Sequence, residues 1–203
     1  MAQITYQPHV QVLQQSAWHG DGSQRYYVLE AGQHWTHALG ALGAPRSTCF
    51  LGLGKGATLT LTTTPSHPPR SVCLGANAFM ENLTLTGAGV MVPGHCCLAA
   101  CHCTFSPGGS SSSTAPATDR FAAVWGADLS AIDLHACSVL DSPGVGVLAR
   151  GNLRMRDTLV RGSRGCGVAA LRGGRLLAER CKILGNGTGI DLGAGAAPGF
   201  LEK

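Results

Sequence analysis

Residues 132–139, Ile132-Asp133-Leu134-His135-Ala136-Cys137-Ser138-Val139, carry the pattern that decides the fold. Ile132 and Leu134 alternate with polar neighbours, Cys137 is a small residue at a corner, and Val139 is apolar again. The arrangement returns in Leu98-Ala100-Cys103-Phe105, Leu153-Met155-Thr158-Val160 and Leu176-Ala178-Cys181-Ile183, with a looser copy in Ala78-Met80-Leu83-Leu85. The corner residue moves from 83 to 103, 137, 158 and 181, at intervals of 20, 34, 21 and 23. The long interval holds Ser106–Thr118, thirteen residues of Ser, Gly, Pro, Ala and Thr, without which it shrinks to 21. A fixed period of this length is the mark of stacked repeats.

A second motif keeps phase with the first: Gly87-Ala88-Gly89-Val90, Gly144-Val145-Gly146-Val147, Gly165-Cys166-Gly167-Val168 and Gly187-Thr188-Gly189-Ile190. Phe121-Ala122-Ala123-Val124 fills the same slot without the glycines. Each run alternates inward and outward side chains, as a strand does. The Gly-x-Gly pairs oppose a helix. One coil cannot bury its own inner face, so coils must stack about 4.8 Å apart and align like residues into ladders. The expectation is an all-β chain folded as a right-handed parallel β-helix of about five to six coils. Its predicted organisation is an N-terminal extension over 1–30, the β-helix over 31–193 with the insertion at 106–118, and a tail over 194–203.

These repeats resemble the right-handed β-helix repeat of carbohydrate-binding proteins and sugar hydrolases. Non-enzymatic members of that group include β-helix domains of certain F-box and spindle- or midbody-associated proteins. Trp35-Thr36-His37-Ala38-Leu39-Gly40-Ala41-Leu42 followed by Thr48-Cys49-Phe50-Leu51-Gly52-Leu53 is similar to the start of such domains. The resemblance implies a capping helix over Trp35–Leu42 and a first apolar strand at Thr48–Leu53. It implies little about activity, because this fold hosts enzymes and inert scaffolds alike.

Composition narrows the function. With 44% hydrophobic and 13% charged residues in 203, the chain has the makings of one well-buried domain. Low aromatic content, 5%, opposes a stacking platform for nucleic-acid bases. Met1–Gln15 lacks a basic region followed by an apolar run, and no window approaches a membrane span. Nine cysteines, an odd count with irregular spacing, oppose a complete disulfide framework and fit a reducing compartment. Cytoplasmic localisation is expected, in a cytoskeletal or ciliary assembly, with no membrane or nucleic-acid partner.

Catalytic chemistry finds little footing. Glycoside hydrolysis needs two opposed carboxylates, yet the coil intervals place Asp133 beside Arg154, Asp157 beside Arg180, and His135 in a row with Arg156 and Glu179. Such pairs read as inter-coil charge contacts on a solvated face. No Gly-x-Ser-x-Gly elbow is present. Gly52-Leu53-Gly54-Lys55-Gly56 lacks the spacing of a phosphate loop and reads as a strand end. The densest cluster is His95-Cys96-Cys97-Leu98-Ala99-Ala100-Cys101-His102-Cys103. Zinc needs four converging Cys or His ligands. Strand phase turns Cys103 inward as a small hydrophobe, leaving Cys97, Cys101 and His102 as candidate ligands. Thr58, Thr60, Thr62, Thr84 and Thr86 suggest the threonine rows of ice-binding solenoids but read as confined to the early coils.

Charge is more informative. Residues 150–203 hold ten basic and four acidic residues, a net +6, whereas the whole chain carries +4. A one-ended basic surface favours an acidic partner. Arg150, Arg154, Arg156, Arg172, Arg175 and Arg180 are the candidate partner-binding residues. The expectation is a non-catalytic structural or adaptor subunit of a larger intracellular assembly, with no cofactor and no catalytic residue, that binds acidic proteins through its faces and ends. The alternative is a carbohydrate-binding module or a polysaccharide-active enzyme.

Overall fold

The computed structural model describes residues 4–5, 10–13, 25–36, 47–53, 56–61, 71–75, 77–108, 121–171, 173–194 and 197–201. They form a parallel β-solenoid of about six turns built from three sheets. Sheet 1 has nine strands: Val10–Leu13, Arg25–Leu29, Thr48–Gly52, Ala78–Glu81, Cys97–Cys101, Ala131–His135, Asn152–Arg156, Arg175–Glu179 and Ala197–Leu201. Sheet 2 has eight: Ile4–Thr5, Gly32–Thr36, Ala57–Leu61, Thr84–Thr86, Thr104–Ser106, Ser138–Leu140, Leu159–Arg161 and Lys182–Leu184. Sheet 3 has six: Ser71–Cys73, Gly89–Val92, Ala122–Gly126, Val145–Ala149, Cys166–Ala170 and Thr188–Leu192.

The register reproduces the repeat. Ala78, Leu98, Ile132, Leu153 and Leu176 stack in sheet 1, and Val90, Val124, Val147, Val168 and Ile190 stack in sheet 3. Leu59, Leu85, Phe105, Val139, Val160 and Ile183 form the ladder of sheet 2. All but Ile183 and Ile190 are buried in one core, which is closed at its early end by Tyr27 stacked on Phe50 at 5.0 Å. Alternation along each strand is what separates this core from the outer rows. Sheet 3 is apolar on its other face too, where Leu148 and Ala169 are buried beside Trp125.

The corner between sheets 1 and 2 has a property that the spacing alone does not show. Asn82, His102, Ala136, Asp157 and Arg180, each just before an inward corner residue, all adopt φ between 49° and 56°. The left-handed bend turns the chain sharply, and each of the first four amides donates to the following turn, as in His102 N–H to His135 O at 3.0 Å and Ala136 N–H to Arg156 O at 2.9 Å. Nothing here is glycine, so the stack of backbone bonds holds a conformation that L-residues adopt at a cost.

At the N-terminal end the expected capping helix is not confirmed. Helix is absent from the described residues: Trp35 and Thr36, the first two residues of the expected capping helix, belong to the strand Gly32–Thr36, and residues 37–42 lie outside the described set. The end is instead closed by two strands running the opposite way to the stack. Ile4–Thr5 pairs antiparallel with Gly32–Thr36, and Val10–Leu13 pairs antiparallel with Arg25–Leu29. An antiparallel strand satisfies the exposed edge of a sheet as well as a helix would cover it. Of the insertion, Ser106 closes the strand Thr104–Ser106, and residues 109–118 lie outside the described set.

Candidate interaction surface

The outer face of sheet 1 displays three rows, because every strand there is five or so residues long and in register. Asn152 aligns with Arg175, Asp133 with Arg154, and His135 with Arg156 and Glu179. The expected charge row is present: Arg156 Nε donates to Glu179 Oε2 at 2.7 Å. Arg180 binds Asp157 with two bonds, Nε to Oδ1 at 2.7 Å and Nη2 to Oδ2 at 2.8 Å. His135 Nε2 lies 3.8 Å from Asp157 Oδ2 on the other side. The Arg180 hydrogen bond holds the Asp157 carboxyl below its usual value, and Arg156 does the same for Glu179. Asp133 and Arg154 share a register position without an ion pair among the described residues.

The six candidate arginines therefore divide. Arg156 and Arg180 are engaged by carboxylates within the solenoid. Arg150, Arg154 and Arg175 are exposed, with no ion pair among the described residues, and Arg172 lies outside them. Arg154 and Arg175 project from adjacent strands of sheet 1, and Arg150 sits at the corner leading into the first of them.

The cysteine cluster is split by strand geometry. Cys97 and Cys101 stand at opposite ends of one five-residue strand, four residues and about 13 Å apart, too far to share an ion. Cys97 and His102 are exposed, and His102 stacks on His135 with ring centroids 6.3 Å apart. Among the described residues no group of three or more His, Cys, Asp or Glu is arranged to hold a metal ion. Cys103 and Cys137 are buried in the corner ladder with Leu83 and Thr158, their thiols bonded to the carbonyls of Cys101 and His135 at 3.3 and 3.2 Å. Burial pushes the Cys103 thiol up to about 11 and the Cys137 thiol up to about 12, which removes the thiolate needed for reaction.

Two features escaped the sequence reading. Phe79 is outward and 39% exposed in sheet 1. Small Ala99 on the next strand leaves open depressions on either side of it. One, of about 420 Å³, reaches Cys49, Asn77 and Cys97, and another, of about 300 Å³, reaches Glu81, Asp133 and Arg154. The alternate position of Phe79, between inward Ala78 and Met80, was the available signal. The threonine rows also run further than expected: Thr58 and Thr84 continue through Thr104 to Ser138, and Thr60 and Thr86 through to Ser106. Leu159 then ends the first row, and Leu140, one turn earlier, ends the second. Thr62 lies outside the described residues.

Fold and surface together define a parallel β-solenoid with a charged outer face. No protein-family profile, curated protein or solved structure matches the chain. The resemblance to β-helix proteins is thus one of architecture, and function has to be argued from the surface itself.

Proposed function

We propose that the chain is a non-catalytic structural or adaptor subunit that docks acidic protein partners in a larger intracellular assembly. The observation that carries this reading is the set of Arg150, Arg154 and Arg175, exposed on adjoining turns with no carboxylate paired to them among the described residues. A rigid stack fixes the spacing of their backbone, so a complementary acidic surface orders side chains alone when it meets them. Stacked coils also give a scaffold more surface per residue than a globule does. A cytoskeletal or ciliary assembly fits an acidic partner of this kind.

The test is affinity purification of the full chain beside the triple variant Arg150→Glu/Arg154→Glu/Arg175→Glu. A stoichiometric acidic partner that is retained by the native chain, weakens as salt rises and is lost at least tenfold in the variant supports the reading. Equal recovery by both chains sinks it. A carbohydrate-binding module is the second reading, favoured by exposed Phe79 between its two depressions. Binding to a glycan panel that disappears in Phe79→Ala would put it first.

A further inference from the structure

The outer face of sheet 1 changes character along the stack, and one hollow spans the change. In its middle column Phe79, Ala99, Asp133 and Arg154 follow one another on successive turns. Glu81, Cys101, His135 and Arg156 do the same in the next column. Ala99 and Cys101 are short, and the depression of about 300 Å³ that they help to line is bounded by Phe79 and Glu81 on one side and by Asp133 and Arg154 on the other. The depression on the other side of Phe79, of about 420 Å³, has no charged residue in its lining.

Glu81 and Asp133 line the hollow against Arg154 and Arg156, beside His135. Arg156 is bound by Glu179 at 2.7 Å, and at the next corner Asp157 and Arg180 bind each other with two bonds. Among the described residues Glu81, Asp133 and Arg154 make no ion pair, although Asp133 and Arg154 share a register position. Burial, and then the charges of Glu81 and Asp133, push the Cys101 thiol up, so the field of both carboxylates reaches this residue of the lining. An anion alone would meet two carboxylates here, and a cation alone would leave Arg154 unmatched. A ligand of both signs satisfies each group. Its ammonium is attracted by the face of Phe79 and by the carboxylates beside it. An anionic group joined to that ammonium meets the planar fork of Arg154, which suits phosphate. The Phe79 and Arg154 backbones stand three strand spacings apart, about 14 Å, a span that two long side chains and a small molecule between them fill.

We infer that this hollow binds a small zwitterion of the phosphocholine type, with its quaternary ammonium on Phe79 between Glu81 and Asp133 and its phosphate on Arg154. The inference goes beyond the scaffold reading, because Arg150 and Arg175 lie outside the hollow and share only Arg154 with it. It is also separable from a glycan on Phe79, since a neutral sugar is indifferent to the salt that screens exposed charges. Phosphocholine occurs as a soluble ester and as a lipid headgroup, and both forms carry the same two charges.

The experiment titrates the full chain with phosphocholine and with choline by calorimetry, and sediments it with phosphatidylcholine vesicles. Phosphocholine should bind at least fivefold more tightly than choline, and more weakly as salt rises. Phe79→Leu keeps an apolar side chain without the ring, and Ala99→Leu fills the hollow while keeping every charge. Each should weaken phosphocholine at least fivefold, whereas Phe79→Tyr should retain it. Arg154→Ala should bring phosphocholine down to the affinity of choline and leave choline no weaker. All these positions face outward, so an unchanged Tm in each variant keeps loss of binding apart from loss of fold. No binding at millimolar phosphocholine, equal binding by Phe79→Leu, or equal affinity for choline and phosphocholine overturns the inference. Binding of a neutral glycan that Phe79→Leu abolishes, with phosphocholine inert, also overturns it and makes the occupant a sugar. Vesicles that sediment the native chain but not Ala99→Leu support a lipid source, and phosphocholine binding without sedimentation supports a soluble one.

Discussion

Asp157 is held between two turns, with Arg180 bonding both its carboxylate oxygens and His135 approaching at 3.8 Å. Its own backbone is in the left-handed region at φ 51°, so one residue makes the corner and the charge contact. A carboxyl whose value is depressed in the folded state adds stability above the unfolded value. That stability is lost as pH falls through the folded value. The Asp157 and Glu179 shifts are both downward, so Tm should fall with pH from about 4 downwards, the ordinary carboxylate range. Thermal melts from pH 3 to 7 check this: in Asp157→Asn the loss between neutral and acid pH is smaller than in the native chain. A steeper loss in the variant would contradict the assignment.

At the scale of the strand, in-register stacking makes a small residue in one turn the condition for the next. Gly167 faces the carbonyl of Gly189 and the side chains of Asn186 and Ile183. Gly167→Val must displace backbone that is already bonded, and an overpacked core of this kind loses about 1–3 kcal/mol. Chemical denaturation measures it: Gly167→Val should be destabilised by at least 1 kcal/mol while Gly189→Val, one turn on, is neutral. Equal effects would mean that the turns are not stacked in this register. The N-terminal strands act at the same scale, pairing antiparallel with the first strands of sheets 1 and 2. Sequence favours them poorly, because an antiparallel strand of two to four residues carries no repeat of its own.

For the molecule as a whole, each turn contacts chiefly its neighbours, so stability is close to a sum over turns and the interfaces between them. Turns with a neighbour on each side are protected twice, and the last has one. Native-state hydrogen exchange should therefore rank the ladder, slowest at Val124 and Val147, faster at Val168 and fastest at Ile190. Uniform protection along sheet 3 would count against this picture. The stack also has a direction: antiparallel strands lie at its early turns, and the basic residues concentrate in its later ones.

The repeat itself was legible in the chain. Two motifs in phase name which residues point inward, and they place the insertion, the charge row of His135, Arg156 and Glu179, and the pairing of Asp157 with Arg180. Periodicity suffices for these because identical intervals force identical register. What only the tertiary structure decided lies where the period stops or where neighbours meet. The antiparallel strands at the early turns, the left-handed residue before each corner, exposed Phe79 and the close approach of the Gly189 carbonyl to Gly167 belong to this group. Each depends on what lies across a turn boundary, a quantity the local pattern does not contain. Periodicity says which side of a strand a residue takes, and only the packed stack says whether anything stands opposite it.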